Sequence, residues 1–385
     1  MTHAHASPWQ PIIAAAVALI LVHGLGRFVY TPLLPLLVED GLLSLSQAAS
    51  LASWNYIGYL IGAMLALWLF QRQLGRSGLI TAIAFNAIGT LLQTQADSYS
   101  PLLVLRLFNG ITNGVVFVLA PALVLEWLVR HHAGHLSGLM YLGVGVGLLG
   151  SSVLVDATDF LHAADRWWPA ALLSLPLAAW SGWALWRLPP AHPSNTAGVN
   201  TALWDQASTP LFLAYAGAGL GYILPMTFLP AVAQQWQLTV QPSAWLIVAL
   251  ASLPSTWLWN HLGARLGDRP ALLINYALQA SGVAALLIFQ QQVLGLWLCA
   301  ALVGGTFLGS VLLTQRLARQ LHPHQGPRLS AALIALYGFT QLLGPWLARM
   351  GLERGMDLSS TFVVGLAALV WAWLLMWWVP IDNKS

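Results

Sequence analysis

His23-Gly24-Leu25-Gly26-Arg27-Phe28-Val29-Tyr30-Thr31-Pro32-Leu33-Leu34-Pro35 lies inside an apolar run from about Ile12 to Val38. That run is long enough to cross a bilayer, which takes roughly 20 apolar helical residues. Near its centre is Arg27, whose guanidinium stays protonated in a protein. A charge at the bilayer centre costs ~2.5–3.5 kcal/mol on insertion scales, so this stretch poses both the fold question and the functional one.

The same apolar texture runs through the chain. Of 385 residues 58% are hydrophobic and 7% charged, against about 25% charged in soluble domains, and the mean hydropathy is +0.71. Such a chain is not built for water, and with its helix-length apolar runs the expected fold class is an all-α membrane protein. Twenty tryptophans suit a chain with many membrane–water interfaces, where indole rings prefer to sit. The net charge of +3 comes from scattered arginines, with Lys384 the one lysine, which argues against a nucleic-acid partner. A single cysteine, Cys299, excludes an intramolecular disulfide or a cysteine metal cluster. The N-terminus lacks the basic n-region and cleavage site of a secretory signal, so the first span is expected to stay attached.

Twelve spans are expected, six on each side of a polar, Pro-containing stretch, with boundaries near 12–38, 46–70, 78–95, 101–125, 136–156, 167–187, 210–234, 243–261, 271–289, 293–314, 330–349 and 359–379. The domain reading is an N-terminal six-helix bundle over 1–188, a central cytoplasmic linker over 189–209 and a C-terminal six-helix bundle over 210–385. With a cytoplasmic N-terminus, inside connections hold Arg72, Arg76, Arg130, Arg187, Arg265, Arg269, Arg316, Arg319, Arg328 and Lys384. Outside connections then hold Arg166, Arg349 and Arg354. The positive-inside rule selects this orientation, with both termini cytoplasmic.

An internal repeat relates the halves. Gly24-Leu25-Gly26 matches Gly219-Leu220-Gly221, Pro35 matches Pro230, and Gly110 with Gly114 matches Gly305 with Gly309, all 195 residues apart. Leu148-Leu149-Gly150 matches Leu342-Leu343-Gly344 at 194. Two six-helix halves running in the same direction are a transporter repeat pattern.

Two such halves joined by a cytoplasmic linker resemble the major facilitator superfamily. The wording of Gly24–Pro35, Trp54–Ala63 (W-N-Y-I-G-Y-L-I-G-A), Tyr141–Gly147 (Y-L-G-V-G-V-G) and Gln341–Pro345 (Q-L-L-G-P) is similar to its YbfB/YjiJ-type branch. The resemblance covers nearly the whole chain and implies a secondary transporter of the cell inner membrane working by alternating access. It supplies no substrate. The superfamily's cytoplasmic G-x-L-x-D-R motif is reduced to Gln71–Arg76 without its aspartate, while a later copy keeps Gly263, Asp268 and Arg269. Span 5 lacks the Gly-Pro pair that marks many proton-driven drug exporters.

Polar residues inside spans are the candidates for a substrate site, because the bilayer penalises them. His23 and Arg27 are four apart, Arg27 and Tyr30 three, and Arg27 and Thr31 four, which places them on one face of an α-helix. Arg27 is roughly 20 Å along span 1, at 1.5 Å per residue. In span 4, Arg106, Asn109, Gly110 and Asn113 form a second polar stripe. Glu126 is about 30 Å further along that span, too far to neutralise either arginine. A guanidinium fork suits carboxylate or phosphate, so a bound anion is one partner for these charges. The bland alternative is that they bond helix carbonyls or reach Glu39, Asp40 or Asp97. Asn55 and Tyr59 in span 2, Tyr141, Tyr222 (the repeat counterpart of Arg27) and Gln341 are further lining candidates; each taken singly could be a packing hydrogen bond. His23 is a candidate proton carrier, although a guanidinium one turn away repels an imidazolium unless an anion sits between them. His3, His5, His131, His132 and His135 invite a metal reading, but no acid or cysteine accompanies them, and no metal or cofactor is expected. No nucleophile–base, zinc or nucleotide motif appears in a plausible context, so no catalytic residue is expected and the chain does not read as an enzyme.

The expectation is therefore a monomeric secondary transporter in the lipid bilayer, moving a small organic anion, with a carboxylate favoured and a proton as candidate coupling ion. Substrate-site candidates are Arg27, Tyr30, His23, Arg106, Asn109, Asn113, Asn55, Tyr141, Tyr222 and Gln341. Two alternatives stay open: efflux of amphipathic drugs or metabolites along tryptophan- and leucine-rich walls, and a membrane sensor or assembly partner that binds without transporting.

Overall fold

The computed structural model describes residues 7–190, 204–206, 208–238, 241–321 and 326–380, and among them all regular structure is helical. Most of the central linker, the N-terminal histidines His3 and His5, and Lys384 lie outside the described residues, as do the side chains of His135 and Arg328. Nine helices among the described residues are long and apolar enough to cross a membrane by length and composition. The other expected spans also coincide with helices. One, α7 (Trp168–Trp186), is diluted in hydropathy by four tryptophans and two prolines. Another is divided into α9 (Ala244–Ser252) and α10 (Ser255–Leu266) around Leu253-Pro254, since proline removes a backbone donor. The third is α13 (Gly326–Glu353).

The described residues cluster into two compact units, Met1–Leu33 with Ile57–Asn195, and Leu34–Tyr56 with Thr196–Ser385. The opening helix runs continuously over Trp9–Glu39 but changes character along its length. An α-helical start, α1 (Trp9–Leu19), passes into a π-helical segment over Ile20–Phe28 and then into α2 (Tyr30–Glu39). The first unit continues with the later part of α3 (Leu45–Gln71), then α4 (Gly75–Leu92), α5 (Tyr99–Arg130), α6 (Leu142–Asp156) and α7. A 3-10 segment over Gly134–Tyr141 leads into α6.

Glycine brings these helices together backbone to backbone. A Cβ on Gly24 would stand 2.5 Å from the Gly147 Cα, and one on Gly147 would stand 2.9 Å from the Gly24 Cα. Gly143 meets the Ala16 carbonyl, and on the other side Gly58 and Gly62 of α3 meet the backbone of α5 at Leu107 and Ile111. Small residues permit this approach where lipid offers no hydrophobic drive for association.

The second unit holds α8 (Thr209–Gln235), α9, α10, α11 (Asp268–Ile288), α12 (Val293–Leu321), α13 and α14 (Thr361–Met376). Leu34–Tyr56 joins it through specific bonds. Gln234 donates to Glu39 at 2.6 Å, the hydroxyls of Tyr56 and Thr227 share a 2.9 Å bond, and Arg349 donates to Ser50 at 3.3 Å and to Glu353 at 2.7 Å.

The repeat is visible in the bonding of each unit. In the first, the Asn86 amide of α4 donates to Thr112 of α5 at 2.8 Å; in the second, the Gln279 amide of α11 donates to Thr306 of α12 at 3.1 Å. Arg76 donates to the Trp186 and Leu188 carbonyls at the end of α7, and Arg269 donates to the Met376 and Trp377 carbonyls at the end of α14. Each arginine thus satisfies terminal carbonyls that have no intrahelical donor. Gly267, at φ +93°, makes the turn between α10 and α11. Beside it the buried Asp268 pairs with Arg316 at 3.1 Å and accepts from Gln320 at 2.8 Å.

Candidate functional site

The π segment is the local device from which the site is built. The Val29 N–H reaches the Gly24 carbonyl at 2.8 Å, the i→i+5 bond that widens a helix by one residue per turn. Pro32 has no N–H to offer the carbonyls before it, and side chains from α5 reach exactly this region of backbone. Arg106 donates from Nη1 to the Gly26 carbonyl at 2.8 Å and from Nη2 to the Arg27 carbonyl at 3.4 Å. Asn113 donates to the Val22 carbonyl at 2.5 Å. Non-helical or widened backbone at membrane depth is tolerated where neighbouring side chains re-satisfy it.

The two arginines therefore do different things. The Arg106 guanidinium, 2% exposed, lies 4.4 Å from the Tyr30 ring centroid and 6.0 Å from that of Trp167, two rings themselves stacked at 6.3 Å. Its fork is turned onto the main chain of the neighbouring helix. Asn109, beside it on α5, donates to Thr90 and offers its own carbonyl to Asn86. Arg106, Asn113 and Asn109 thus brace α5 against the π segment and α4.

Arg27, 5% exposed, points into a different cluster. Its guanidinium carbon is 5.0 Å from the Phe28 centroid and 4.9 Å from that of Tyr59. The His23 ring is 4.6 Å from Phe117, 6.0 Å from Phe28 and 6.4 Å from Tyr59. Phe117 is 6.0 Å from Tyr59 and 6.1 Å from Tyr141. One permanent cation, one imidazole, two phenols and two phenyl rings share this part of the first unit. Such a set can hold an anion by charge and hydrogen bonds while the rings exclude water.

Of the candidates, His23, Arg27 and Tyr141 come together here. Tyr30 stacks with Trp167 and lies against the Arg106 guanidinium. Asn55, Tyr222 and Gln341 belong to the second unit and are buried there. In that unit Tyr222 stacks on Phe307 at 5.8 Å and on Tyr337 at 5.2 Å, and Tyr337 stacks on Tyr215 at 4.3 Å. Where the first unit has Arg27, the second has an aromatic column. Phe28 and Phe117 were not among the sequence candidates. Phe117 follows Asn113 by four residues on α5, and that spacing was the signal available.

His131 stacks on Trp127 at 3.8 Å and bonds its carbonyl at 2.8 Å, a local helix-end arrangement. Among the described residues no three His, Cys, Asp or Glu side chains are grouped as a metal site would need.

The family described as "Uncharacterised MFS-type transporter YbfB" matches residues 18–377. The chain belongs to this family. As a member of the YbfB-type family it is classed with the transporters of the major facilitator type, and its described residues include nine helices long and apolar enough to cross a membrane. It is 24% identical over 266 residues to the Inner membrane transport protein YdhP of Escherichia coli (strain K12), a match covering 67% of this chain and 66% of that protein, just under two thirds of its length. Its fold is shared with a D-xylose-proton symporter at TM-score 0.76, with 17% identity and 98% of both chains covered. It is also shared with the nucleoside transporter NupG at TM-score 0.71, with 14% identity, 97% of this chain and 99% of that one covered.

Proposed function

We propose that this YbfB-type transporter is a secondary active carrier of a small organic anion, most simply a carboxylate, across the inner membrane by alternating access. The observation that carries the reading is the placement of Arg27 beside His23 and Tyr59, inside an aromatic enclosure of the first unit. A guanidinium offers paired donors matched to a carboxylate, and His23 and Tyr141 add hydrogen-bonding capacity at the same place. Arg106 has a supporting part: bonded to the carbonyls of Gly26 and Arg27, it holds the backbone from which Arg27 projects. The inner-membrane location is that named for YdhP. Cytoplasmic termini follow from the arginine distribution, and a monomer of two six-helix halves is sufficient for the mechanism.

The test is uptake by purified protein in proteoliposomes, preceded by a thermal-shift screen of organic acids, amino acids and lipophilic cations. Arg27→Gln is expected to weaken anion binding by about 100-fold, the scale of losing one partner of a buried charge pair, with Arg27→Lys intermediate. Wild-type transport by Arg27→Gln and Arg27→Ala removes the anchoring role.

The second unit favours one other reading. The stacked column of Tyr215, Tyr337, Tyr222 and Phe307 suits planar amphipathic compounds, as an exporter of drugs or metabolites would need. Stabilisation by lipophilic cations and none by organic acids selects that reading.

A further inference from the structure

His23 is 5% exposed, and its Nδ1 has no hydrogen-bond partner although it is buried. A structural histidine in a membrane bundle ordinarily spends its ring nitrogens on interhelical bonds. Here the ring is instead bordered by Phe117, Phe28 and Tyr59, the last two being the rings that also border the Arg27 guanidinium. Among the charged and titratable groups of the first unit's described residues, Arg27 comes from the same helix, Tyr59 from α3, and Tyr141 from the segment before α6. Arg106 of α5 is turned onto backbone carbonyls. The remaining charges of α5, Glu126 and Arg130, pair with each other near its far end. The charges of α4 and α6, Arg76 and Asp156, sit at helix ends, and α7 carries none.

We propose that His23 is the proton-binding site of the transport cycle, and that it takes up one proton when an anion binds at Arg27. This rests on the anion reading above. The argument is linkage. With the anion absent, a second positive charge one turn from the guanidinium is opposed by repulsion. With a carboxylate between the two groups, an imidazolium becomes a further donor to it and the repulsion is cancelled. By reciprocity the proton then raises anion affinity by the same factor as the anion raises proton affinity. The proton goes to the free ring nitrogen and the anion's charge is balanced by it. A monocarboxylate is therefore carried as an electroneutral pair, driven by the pH gradient.

The probes are gluconate, succinate and hippurate, which cross bilayers poorly at neutral pH. Purified full-length protein in weakly buffered detergent solution, with a pH-indicating dye, is expected to take up close to one proton per anion bound. His23→Gln and His23→Asn are expected to take up none, and to lose accumulation driven by a pH gradient. The ratio does not depend on turnover rate, so a slow variant still reports. In the wild type alone, anion affinity is expected to fall tenfold per pH unit on the alkaline limb, a readout that survives if neither variant folds. One proton per anion in His23→Gln, or a flat wild-type pH profile, overturns the assignment. Wild-type exchange of the anions without proton uptake overturns it while leaving the anion reading standing. Failure to bind any of the three overturns both.

Discussion

Replacing Arg106 and Arg27 in turn by leucine separates the two roles that the geometry gives them. Arg106→Leu removes a 2.8 Å bond to the Gly26 carbonyl, a 3.4 Å bond to the Arg27 carbonyl and a cation–π contact with Tyr30 at 4.4 Å. A hydrogen bond from a charged donor contributes ~1.5–3 kcal/mol, and the longer one at most about 1. The ring contact adds ~0.5–2 kcal/mol. Against these stands the release of a buried charge, ~2.5–3.5 kcal/mol at full depth and less near the interface. Membrane hydrogen bonds measured singly average only ~0.6 kcal/mol. With two buried carbonyls losing a charged donor, the net expectation is a loss of about 2–3 kcal/mol. Arg106→Lys, with one point charge in place of a fork, should recover part of it. Arg27→Leu removes a buried charge along with its ring contacts; it should cost less stability than Arg106→Leu, yet it should abolish the response to anions. The assay is reversible unfolding in mixed micelles, run in parallel with thermal shifts by organic acids. The reasoning is refuted if Arg106→Leu stays within ~0.5 kcal/mol of wild type while Arg27→Leu loses 2 or more: the bracing and binding parts would then be exchanged.

Two further outcomes follow from the packing. Gly147→Leu forces a side chain into the backbone of Gly24 and should cost about 1–3 kcal/mol or prevent folding, whereas Gly150→Ala, with nothing within 4 Å of the added Cβ, should be neutral; unfolding of the purified variants checks both. Arg76→Ala and Arg269→Ala, which uncover the carbonyls ending α7 and α14 respectively, should lower stability by similar amounts of about 1 kcal/mol each and additively in the double variant, because the two sites lie in different units.

The spans were legible because hydropathy at bilayer length is a strong signal that hardly depends on neighbours. The glycines of the first, second and fifth spans act as contact points because few other residues allow two membrane helices to touch, but composition does not say which glycine meets which: Gly147 meets Gly24 while Gly150 has nothing within 4 Å. The repeat was legible where residue type is retained. It was hidden where only the chemistry is: Asn86 with Thr112 and Gln279 with Thr306 make equivalent amide-to-hydroxyl bonds, but an asparagine matched to a glutamine does not stand out in a comparison of letters.

The stretch around Arg27 shows the limit more sharply. An α-helical wheel puts His23, Arg27 and Tyr30 on one face, whereas the helix is π-helical over Ile20–Phe28 and Tyr30 stacks with Trp167. The local sequence does not announce that widening. The widening is underwritten from outside the stretch, by Asn113 on the Val22 carbonyl and Arg106 on the carbonyls of Gly26 and Arg27. Once Arg106 is spent on backbone, the positive charge facing the rings of Phe28 and Tyr59 is Arg27's. Two arginines that look interchangeable as buried cations are thereby ordered, one holding the helix open and the other presented by it. The second unit keeps the glycines of the motif but puts Tyr222 in an aromatic column where the first has Arg27. A guanidinium in one half and an aromatic column in the other is the difference that the Arg27 and Tyr222 substitutions are expected to expose, the first in the response to organic anions and the second in the response to planar amphipathic compounds.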